Sequence, residues 1–180
     1  GDTRAVLGTR AGAAQELTID HVPMLPYERA RIEKNGGMVA SFPDEPPPEV
    51  SGKGRVFLAD QMWPGLAVSR AFGDLVAKKA GVIAEPEVKD VKISPADFVL
   101  IIASDGVWDV TTNEEAVEIC LQHAESKDAI LAASDVVFRA RQQWEAIQAE
   151  AVEEGLDAAD FSIDDISCVA VYLQGHRALL

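Results

Sequence analysis

The sequence predicts a protein of mixed α and β structure, and three of its segments support this prediction. Residues 98–103 form a continuous apolar run that is too short for a helix and is typical of a strand buried on both faces. Residues 166–173 form a second apolar strand near the end of the chain. Two segments with helical patterns lie between these runs, so strands both precede and follow long helices.

Length and composition fit one domain with a core of ordinary size, because the chain has 180 residues and 48% of them are hydrophobic. The net charge of -14 argues against nucleic acid or an anionic membrane as the main partner. No apolar run reaches the length of a membrane span. Cys120 and Cys168 fall in a predicted helix and a predicted strand, and we expect both to be reduced core thiols. We expect a monomeric, intracellular protein, either cytoplasmic or nuclear.

The N-terminal half is predicted to hold short elements separated by loops. Residues 4–8 form a strand that is followed by a turn at 9–12, which together resemble the opening of a hairpin. Residues 27–34 form a short helix that stops at Asn35-Gly36-Gly37. Residues 41–54 contain four prolines and are predicted to be a mobile surface flap with neither a helix nor an inner strand. Further strands are predicted at 55–58 and 85–91.

Two helices are predicted in the C-terminal half. Thr112 and Glu115 match a capping box for a helix that runs to about residue 124. Ser126 can cap a second helix that runs to about residue 154, followed by an acidic loop at 155–160. Apolar residues of the second helix repeat every seven positions, at Ile130, Val137, Trp144 and Ala151. A coiled-coil seam would show this repeat, but a helix lying on a sheet is the preferred interpretation.

Aspartates at the ends of the two apolar strands form the candidate site. Asp105 follows the strand at 98–103, and Asp164 stands before the strand at 166–173. A carboxylate at the mouth of a buried strand is costly unless it meets hydrogen-bond donors, a cation or water. If the two strands are antiparallel neighbours, both aspartates emerge at one edge of the sheet and can share a hard metal ion such as Mg²⁺ or Mn²⁺. Two such ions about 4 Å apart can activate a bridging water and hold a phosphoryl group.

A structural role is the alternative for each aspartate considered alone, because Asp-Gly is a common turn dipeptide.

Several other catalytic patterns are absent from the sequence. Ser104 is not flanked by the glycines of a nucleophile elbow, the three histidines lack zinc-site spacing, and no glycine loop of the phosphate-binding type occurs. The acidic segment 157–165 lacks the glycine and the terminal glutamate of a calcium-binding loop.

Four segments occur in order along the chain: Ser69-Arg-Ala-Phe-Gly-Asp74, Pro86-Glu-Val88, Ala103-Ser-Asp-Gly-Val-Trp-Asp109 and Asp164-Asp-Ile-Ser167. Together they resemble the marker motifs of the metal-dependent (PPM-type, type 2C) protein phosphatases, and segments 1–5, 18–23 and 28–37 fit earlier blocks of that family. The resemblance implies an α+β fold, an antiparallel β-sandwich flanked by α-helices in α-β-β-α layers. It also implies hydrolysis of phosphoserine and phosphothreonine in phosphoproteins by a water that bridges two Mn²⁺ or Mg²⁺ ions.

The resemblance assigns roles to residues of this chain by their positions in the motifs. Asp105 and Asp164 would be ligands of the dinuclear centre, and Asp2 would help Asp105 to hold a third, weaker metal ion. Residues 39–64 would form a variable flap beside the cleft and influence substrate choice. Supporting or packing roles are implied for Asp74, Trp108 and His21.

The resemblance also implies that part of the family's domain lies before Gly1. The family's Asp-Gly-His-Gly-Gly block, which carries the general-acid histidine, has no counterpart in this chain, and neither do an upstream acidic ligand and a phosphate-binding arginine. We therefore expect residues 1–180 to be the C-terminal portion of a single catalytic domain and to be inactive alone. Asp165 stands where the family usually has asparagine, and it adds negative charge beside the metal. A non-catalytic phosphatase-like module that binds a protein partner is the alternative interpretation.

Overall fold

A computed structural model describes residues 1–155, 157 and 163–173, and it divides the chain into two compact units. The first unit contains Gly1–Asp2 and Asp20–Val88, and the second contains Thr3–Ile19 and the chain from Lys89 onward. Within the described ranges, no helix is long and apolar enough to cross a lipid bilayer. The strands are β1 (Arg4–Thr9), β2 (Ala14–Glu16), β3 (Gly37–Ala40), β4 (Arg55–Leu58), β5 (Pro64–Leu66), β6 (Asp97–Ala103) and β7 (Cys168–Tyr172). The helices are α1 (Pro26–Lys34), α2 (Pro48–Ser51), α3 (Asp105–Trp108), α4 (Asn113–Gln122) and α5 (Ala129–Glu153), and Ala77–Ala80 form a 3₁₀ turn.

The first unit is built on an antiparallel sheet with the strand order β3-β4-β5. The predicted short helix is α1, and it ends at the predicted place. Gly36 adopts a φ of +77° there and turns the chain into β3, a conformation that glycine reaches without strain. A small apolar core joins α1, the sheet and the 3₁₀ turn, and it consists of Ile32, Val39, Val56, Ala77, Ala80 and Val82.

The segment expected to be an unstructured flap contains one helical turn, α2. Pro48 occupies the first position of this turn, where a backbone N–H would have no helical partner in any case. Gly52 ends the turn with a φ of +69°. The prediction that 41–54 holds no helix was therefore wrong, because a proline at the first helical position starts a turn. The strand predicted at 55–58 is β4.

A buried ion cluster ties α1 to the chain around residues 69–70 of the first unit. The fully buried Glu28 carboxylate accepts hydrogen bonds from Arg31 at 2.8 and 2.6 Å and from Arg70 at 3.0 and 2.6 Å. Arg31 also donates to the carbonyl oxygens of Ser69 and Gly81. Burial by itself raises the pKa of Glu28, but the hydrogen bonds from the two arginines outweigh it and lower the pKa from 4.5 to about 2. Glu28 therefore remains charged at neutral pH.

Residues 85–91 lie outside regular secondary structure, so the strand predicted there was wrong. Val88 is 86% exposed, which shows that the alternation of charged and apolar residues does not mark a buried face. Pro86 also lacks the N–H that a sheet strand needs. Arg70 holds the first part of this segment by donating to the Glu85 carbonyl oxygen at 3.1 Å and to the Glu87 carboxylate at 2.8 Å.

The second unit contains an antiparallel sheet with the strand order β2-β1-β6-β7. β1 and β2 form the predicted hairpin, and β6 lies between β1 and β7. Ile102 on β6 is 37% exposed, so the expectation that this strand is buried on both faces holds only in part. The core that joins the sheet to α3, α4 and α5 includes Val6, Phe98, Val99, Ile101, Trp108, Val117 and Val136. Antiparallel sheets combined with helices confirm the predicted α+β class.

α4 begins with the predicted side-chain cap. The Thr112 hydroxyl accepts a hydrogen bond from the backbone N–H of Glu115 at 3.1 Å. The Glu115 carboxylate accepts a hydrogen bond from Arg139 of α5 at 2.7 Å, which links the two long helices. Cys120 of α4 is buried and Cys168 of β7 is half-buried, and both are free thiols, as expected.

α5 begins later than predicted and buries a different stripe. Its cap is Asp128, whose carboxylate accepts a hydrogen bond from the backbone N–H of Leu131 at 3.0 Å. Ser126 is not the cap, because the turn after α4 continues through Lys127, which has a φ of +52°. α5 packs against β7, which confirms the interpretation as a helix on a sheet. The residues it buries are Ala132, Val136 and Ala140, whereas Ile130 of the predicted stripe is 82% exposed. Most of the acidic loop expected at 155–160 lies outside the described residues.

Candidate metal centre

The pairing of β6 with β7 brings Asp105 and Asp164 to the same edge of the second unit's sheet. The two strands are antiparallel, and Ala103 at the end of β6 faces Cys168 at the start of β7. Asp105 lies just beyond the end of β6, and Asp164 lies just before the start of β7. The topology on which the candidate site depends is therefore present.

Ser104 fastens the two chain segments together beyond the last strand pair. Its backbone N–H donates to the Ser167 carbonyl oxygen at 3.0 Å, and its hydroxyl accepts from the Ser167 N–H at 3.1 Å. The same hydroxyl donates to the Asp165 carbonyl oxygen at 2.9 Å. Gly106 lies so close that a Cβ atom at this position would be 2.5 Å from that carbonyl oxygen. Glycine follows Asp105 because no side chain fits between the two segments.

The short helix α3 and a tryptophan of α5 fix the backbone that carries Asp105. The Asp105 carboxylate accepts a hydrogen bond from the Gly106 N–H at 3.0 Å. Trp144 of α5 donates its indole N–H to the Gly106 carbonyl oxygen at 2.8 Å. Trp108 is 7% exposed and donates to the Ala103 carbonyl oxygen at 2.8 Å, which confirms the expected packing role. Asp105 itself is half-buried. The hydrogen bonds to the N–H and C=O groups of Gly106 fix the backbone beside its carboxylate.

Asp164 lies on the more open side of this edge. It is exposed, and its carboxylate accepts a hydrogen bond from the backbone N–H of Asp165 at 2.7 Å. Asp164 and its neighbour Asp165 line a shallow pocket of about 480 Å³ together with Val137, Arg141, Glu145 and Ile166. Arg141 is paired with Glu145 at 2.7 Å, so the pocket contains one ion pair beside the two aspartates.

The arrangement suits a hard divalent cation in chemistry but offers few ligands. Asp105 and Asp164 supply carboxylate oxygens, and Mg²⁺ and Mn²⁺ accept a few carboxylates and complete their shells with water. Among the residues that the structure describes, no group of three or more His, Cys, Asp or Glu side chains is close enough to hold a metal ion. Asp2 and Asp74 belong to the first unit, where Asp2 is half-buried and Asp74 is exposed. The assignment of Asp105, Asp164 and Asp2 as metal ligands stays a prediction.

The sequence did not reveal the residues that support the site. Ser104 was considered only as a nucleophile, yet it joins the two aspartate-bearing segments. Trp144 was assigned to an apolar stripe, yet its indole N–H supports the Gly106 carbonyl. The one available signal was Gly106, since a glycine directly after a strand-end aspartate is typical of close backbone approach as well as of a turn. His21, expected to be a packing residue, is in the first unit, with its ring nitrogen Nε2 3.3 Å from the Glu87 carboxylate.

The chain matches a known family over most of its length. The family model for protein phosphatase 2C matches residues 1–147, a range that includes Asp2 and Asp105. The chain belongs to the protein phosphatase 2C family. Asp164 follows the matched range of the family model. Similarity to individual members continues further, because a relative from Oryza sativa subsp. japonica, "Probable protein phosphatase 2C 12", is 39% identical over 180 residues and covers 98% of this chain.

Other relatives and solved structures agree with this family membership. "Probable protein phosphatase 2C 73" from Arabidopsis thaliana is 39% identical over 177 residues. The crystal structure of serine-threonine phosphatase 2C from Toxoplasma gondii superimposes with a TM-score of 0.74 at 28% identity and covers 97% of this chain. A Caenorhabditis elegans sex determining protein shares the fold, with a TM-score of 0.67 at 20% identity. The chain spans 42% of the rice protein, 43% of the Arabidopsis protein and 52% of the Toxoplasma chain.

Proposed function

We propose that this chain is part of a metal-dependent protein serine/threonine phosphatase and that Asp105 and Asp164 hold a Mn²⁺ or Mg²⁺ centre in it. The observation that carries the proposal is the antiparallel pairing of β6 with β7, which brings the two aspartates to one sheet edge in a member of the protein phosphatase 2C family. The substrates we propose are phosphoserine and phosphothreonine in phosphoproteins. Ions held by these residues would activate a water molecule as a nucleophile and neutralise charge on the phosphoryl group.

The residues of this chain would orient and hold ligands for that centre. Asp105 would be the rigid ligand, because Gly106 and Trp144 fix its backbone. Asp164 would be the more exposed ligand, and Ser104 sets the spacing of its segment from Asp105. We propose Asp2 as a contributor to a third, weaker site. The general acid and the phosphate-binding arginine are not assigned to any residue of this chain.

The proposal includes an arrangement of the whole domain. Residues 1–180 would be the C-terminal portion of a single PPM-type catalytic domain, and 39–64 would be a variable segment that influences substrate choice. This segment carries β4 and the one-turn helix α2, which would give it a defined shape. We also propose that the protein is monomeric and acts in the cytoplasm or nucleus.

A chimera tests the function directly. In this chimera the chain replaces the matched 42% of the rice relative, and hydrolysis of a small aryl phosphate is measured with and without Mn²⁺. We expect manganese-dependent turnover that falls at least about a hundredfold in Asp105→Asn, since even the loss of a residue that only orients a metal ligand costs about 10- to 100-fold. Asp90→Asn, which changes an exposed loop aspartate by the same chemistry, should leave turnover unchanged.

Each result of the chimera experiment has a definite meaning. Turnover in Asp105→Asn that matches the Asp90→Asn control would refute the metal assignment. A folded chimera without turnover would favour the alternative, a phosphatase-like module that binds a partner without catalysis. The unfused chain should be inactive, because no group of three or more His, Cys, Asp or Glu side chains among the described residues could hold a metal ion. Metal-dependent turnover by the unfused chain, lost in Asp105→Asn, would instead show that this half is sufficient.

A further inference from the structure

A groove runs between the helices α4 and α5 of the second unit. Its volume is about 460 Å³. The principal lining residues are Glu115, Glu118 and Ile119 from α4 and Asp135, Phe138 and Arg139 from α5. Two helices therefore form its walls, and these walls carry both charged and apolar side chains.

An ion pair or a close charged contact joins the two helices at each end of the groove. The Arg139 guanidinium donates to the Glu115 carboxylate at 2.7 Å. At the end of α4, the ring nitrogen Nε2 of His123 lies 2.7 Å from the Asp135 carboxylate. These two contacts lie about eight helical residues apart, or about 12 Å along α4. An extended chain covers that length with about four residues, so the groove has the length of a short peptide segment.

The groove walls carry an excess of negative charge. Glu115, Glu118 and Asp135 supply three carboxylates, and Arg139 supplies the cation. Glu118 is exposed, and within the described ranges its carboxylate makes no hydrogen bond or ion pair. It lies four residues after Glu114, a spacing at which like charges on a helix repel one another. α4 contains no lysine or arginine, so a cation bound beside Glu118 would relieve this repulsion.

Apolar surface accompanies these carboxylates. Phe138 is 61% exposed in the groove, and the half-buried Ile119 lines it from the opposite helix. Acidic side chains on a helix are by themselves ordinary solvated surface. A large aromatic side chain exposed in a groove is different, because it offers a contact for an apolar side chain of a partner. The two features together select a ligand that is both cationic and apolar.

We propose that the α4–α5 groove binds a short segment of a protein partner in which lysine or arginine side chains flank one large apolar side chain. The apolar side chain would contact Ile119 and Phe138, and a flanking cation would pair with Glu118. The net charge of -14 favours the approach of a basic partner. A second copy of the chain is a less suitable occupant, because two copies with this charge repel one another. A metal ion alone is also less suitable, because no group of three or more His, Cys, Asp or Glu among the described residues could hold one.

Fluorescence anisotropy of a labelled peptide tests this proposal. The probe is Arg-Lys-Leu-Lys-Arg, and the protein is the rice chimera. One matched probe has serine in place of leucine, and another has glutamate in place of every basic residue. We expect saturable binding of the leucine probe at one site per chain, binding of the serine probe that is weaker by about fivefold, and no binding of the acidic probe. Equal binding of the leucine and serine probes would overturn the proposal, because it would show attraction to the net charge alone.

Two pairs of variants locate the binding site. Glu118→Arg should weaken binding of the leucine probe by about threefold or more, whereas Glu150→Arg, at an exposed glutamate of α5 outside the groove, should change it by less than about twofold. Phe138→Ser should weaken binding by about fivefold, and Ile147→Ser is its control at a 40% exposed residue of the same helix. Thermal midpoints close to that of the wild type establish that the variants are folded. Equal losses in the two members of either pair would place the binding elsewhere and overturn the proposal.

Other occupants of the groove have distinct signatures. Binding of the leucine probe by the unfused chain but not by the chimera would show that the rest of the domain covers the groove, and would overturn the proposal. A dimer in light scattering that Phe138→Ser dissociates would make a second copy the occupant, and would overturn the choice of partner. Peptide binding requires neither a metal ion nor turnover. An inactive chimera that binds the probe would therefore contradict the proposed function alone, and an active chimera that does not bind it would contradict this inference alone.

Discussion

Replacing Glu28 with glutamine should remove the charge at the centre of the buried cluster in the first unit. The carboxylate is fully buried and accepts hydrogen bonds from Arg31 and Arg70 at 2.6 to 3.0 Å. Burial raises the pKa of Glu28, yet the two guanidinium groups hold it at about 2 instead of 4.5. In Glu28→Gln both arginines keep their charges and lose the anion that compensates them.

The size of the effect follows from that pKa. At about 1.4 kcal/mol per pH unit, the difference between 4.5 and about 2 corresponds to about 3 kcal/mol of folding free energy at neutral pH. Breaking a buried ion pair by removing one partner costs about 3–5 kcal/mol, which agrees. The folded pKa lies below the unfolded one, so this stabilisation is fully present above about pH 4.5 and is lost as the pH falls towards 2.

Urea unfolding of the wild type and Glu28→Gln at pH 7, 5, 4 and 3 measures this free energy. The difference between the two proteins should be largest at pH 7 and 5 and should shrink at pH 4 and 3. Glu33→Gln is the matched control, because Glu33 pairs with Arg29 at 2.7 Å but its side chain is 51% exposed, and we expect a loss below about 0.5 kcal/mol. The reasoning is refuted if Glu28→Gln costs no more than Glu33→Gln, or if its cost stays constant down to pH 3.

Substitutions at three further positions, all in the second unit, have expected outcomes. Gly106→Ala should lower the free energy of unfolding by about 1–3 kcal/mol, because the new Cβ would lie 2.5 Å from a carbonyl oxygen; a wild-type urea midpoint would contradict the close approach. Thr112→Ala should cost about 1 kcal/mol through loss of the α4 cap, and Thr112→Ser should restore most of it in the same assay. Burial raises the pKa of Tyr172 to about 12, and its hydroxyl donates to the Cys120 carbonyl oxygen at 2.6 Å. Tyr172→Phe should lower the free energy of unfolding by about 1–2 kcal/mol, because this hydrogen bond is lost. It should also remove the ionisation step near pH 12 from the ultraviolet titration of tyrosine, and an unchanged titration would show that Tyr172 ionises at its ordinary pKa.

The sequence was most informative where local pattern and sheet geometry agree. The apolar runs identified both β6 and β7, and the antiparallel pairing that the candidate site required as a condition is the pairing observed. β1 and the turn after it were also predicted, because turn residues follow a short extended segment there, but the second strand of the hairpin, β2, was not. The segment 85–91 shows the limit of such patterns. Charged and apolar residues alternate in this segment, but the segment is not a strand, because Val88 remains exposed. A hydrogen bond from the Arg70 side chain to the Glu85 carbonyl oxygen holds it in place instead of sheet pairing.

The sequence proposes the charged residues of the candidate site but not the residues that support them. Asp105 and Asp164 could be proposed because strand ends are visible in a sequence. The role of Ser104 depends on which backbone atoms of the β7 segment come within hydrogen-bond distance, and a sequence contains no such information. The buried stripe of α5 differs from the predicted one for a similar reason. Several apolar stripes fit on a helix this rich in alanine, and contact with the sheet selects the one through Ala132 and Val136.

The division of the chain between its two units has a consequence for folding. β1 belongs to the second unit and pairs with β6, but nearly the whole first unit lies between these strands in sequence. The sheet of the second unit therefore closes only after the loop that contains the first unit has been made, and a long closure of this kind costs entropy and slows folding. During synthesis, β1 and β2 are translated early, whereas β6, the partner of β1, is translated much later. A polypeptide that begins at Lys89 would lack both strands, leaving β6 as a new sheet edge. In evolution, insertions or deletions in the first unit would change the length of that loop. They would not alter the register of β6 with β7, which brings Asp105 and Asp164 to the same sheet edge.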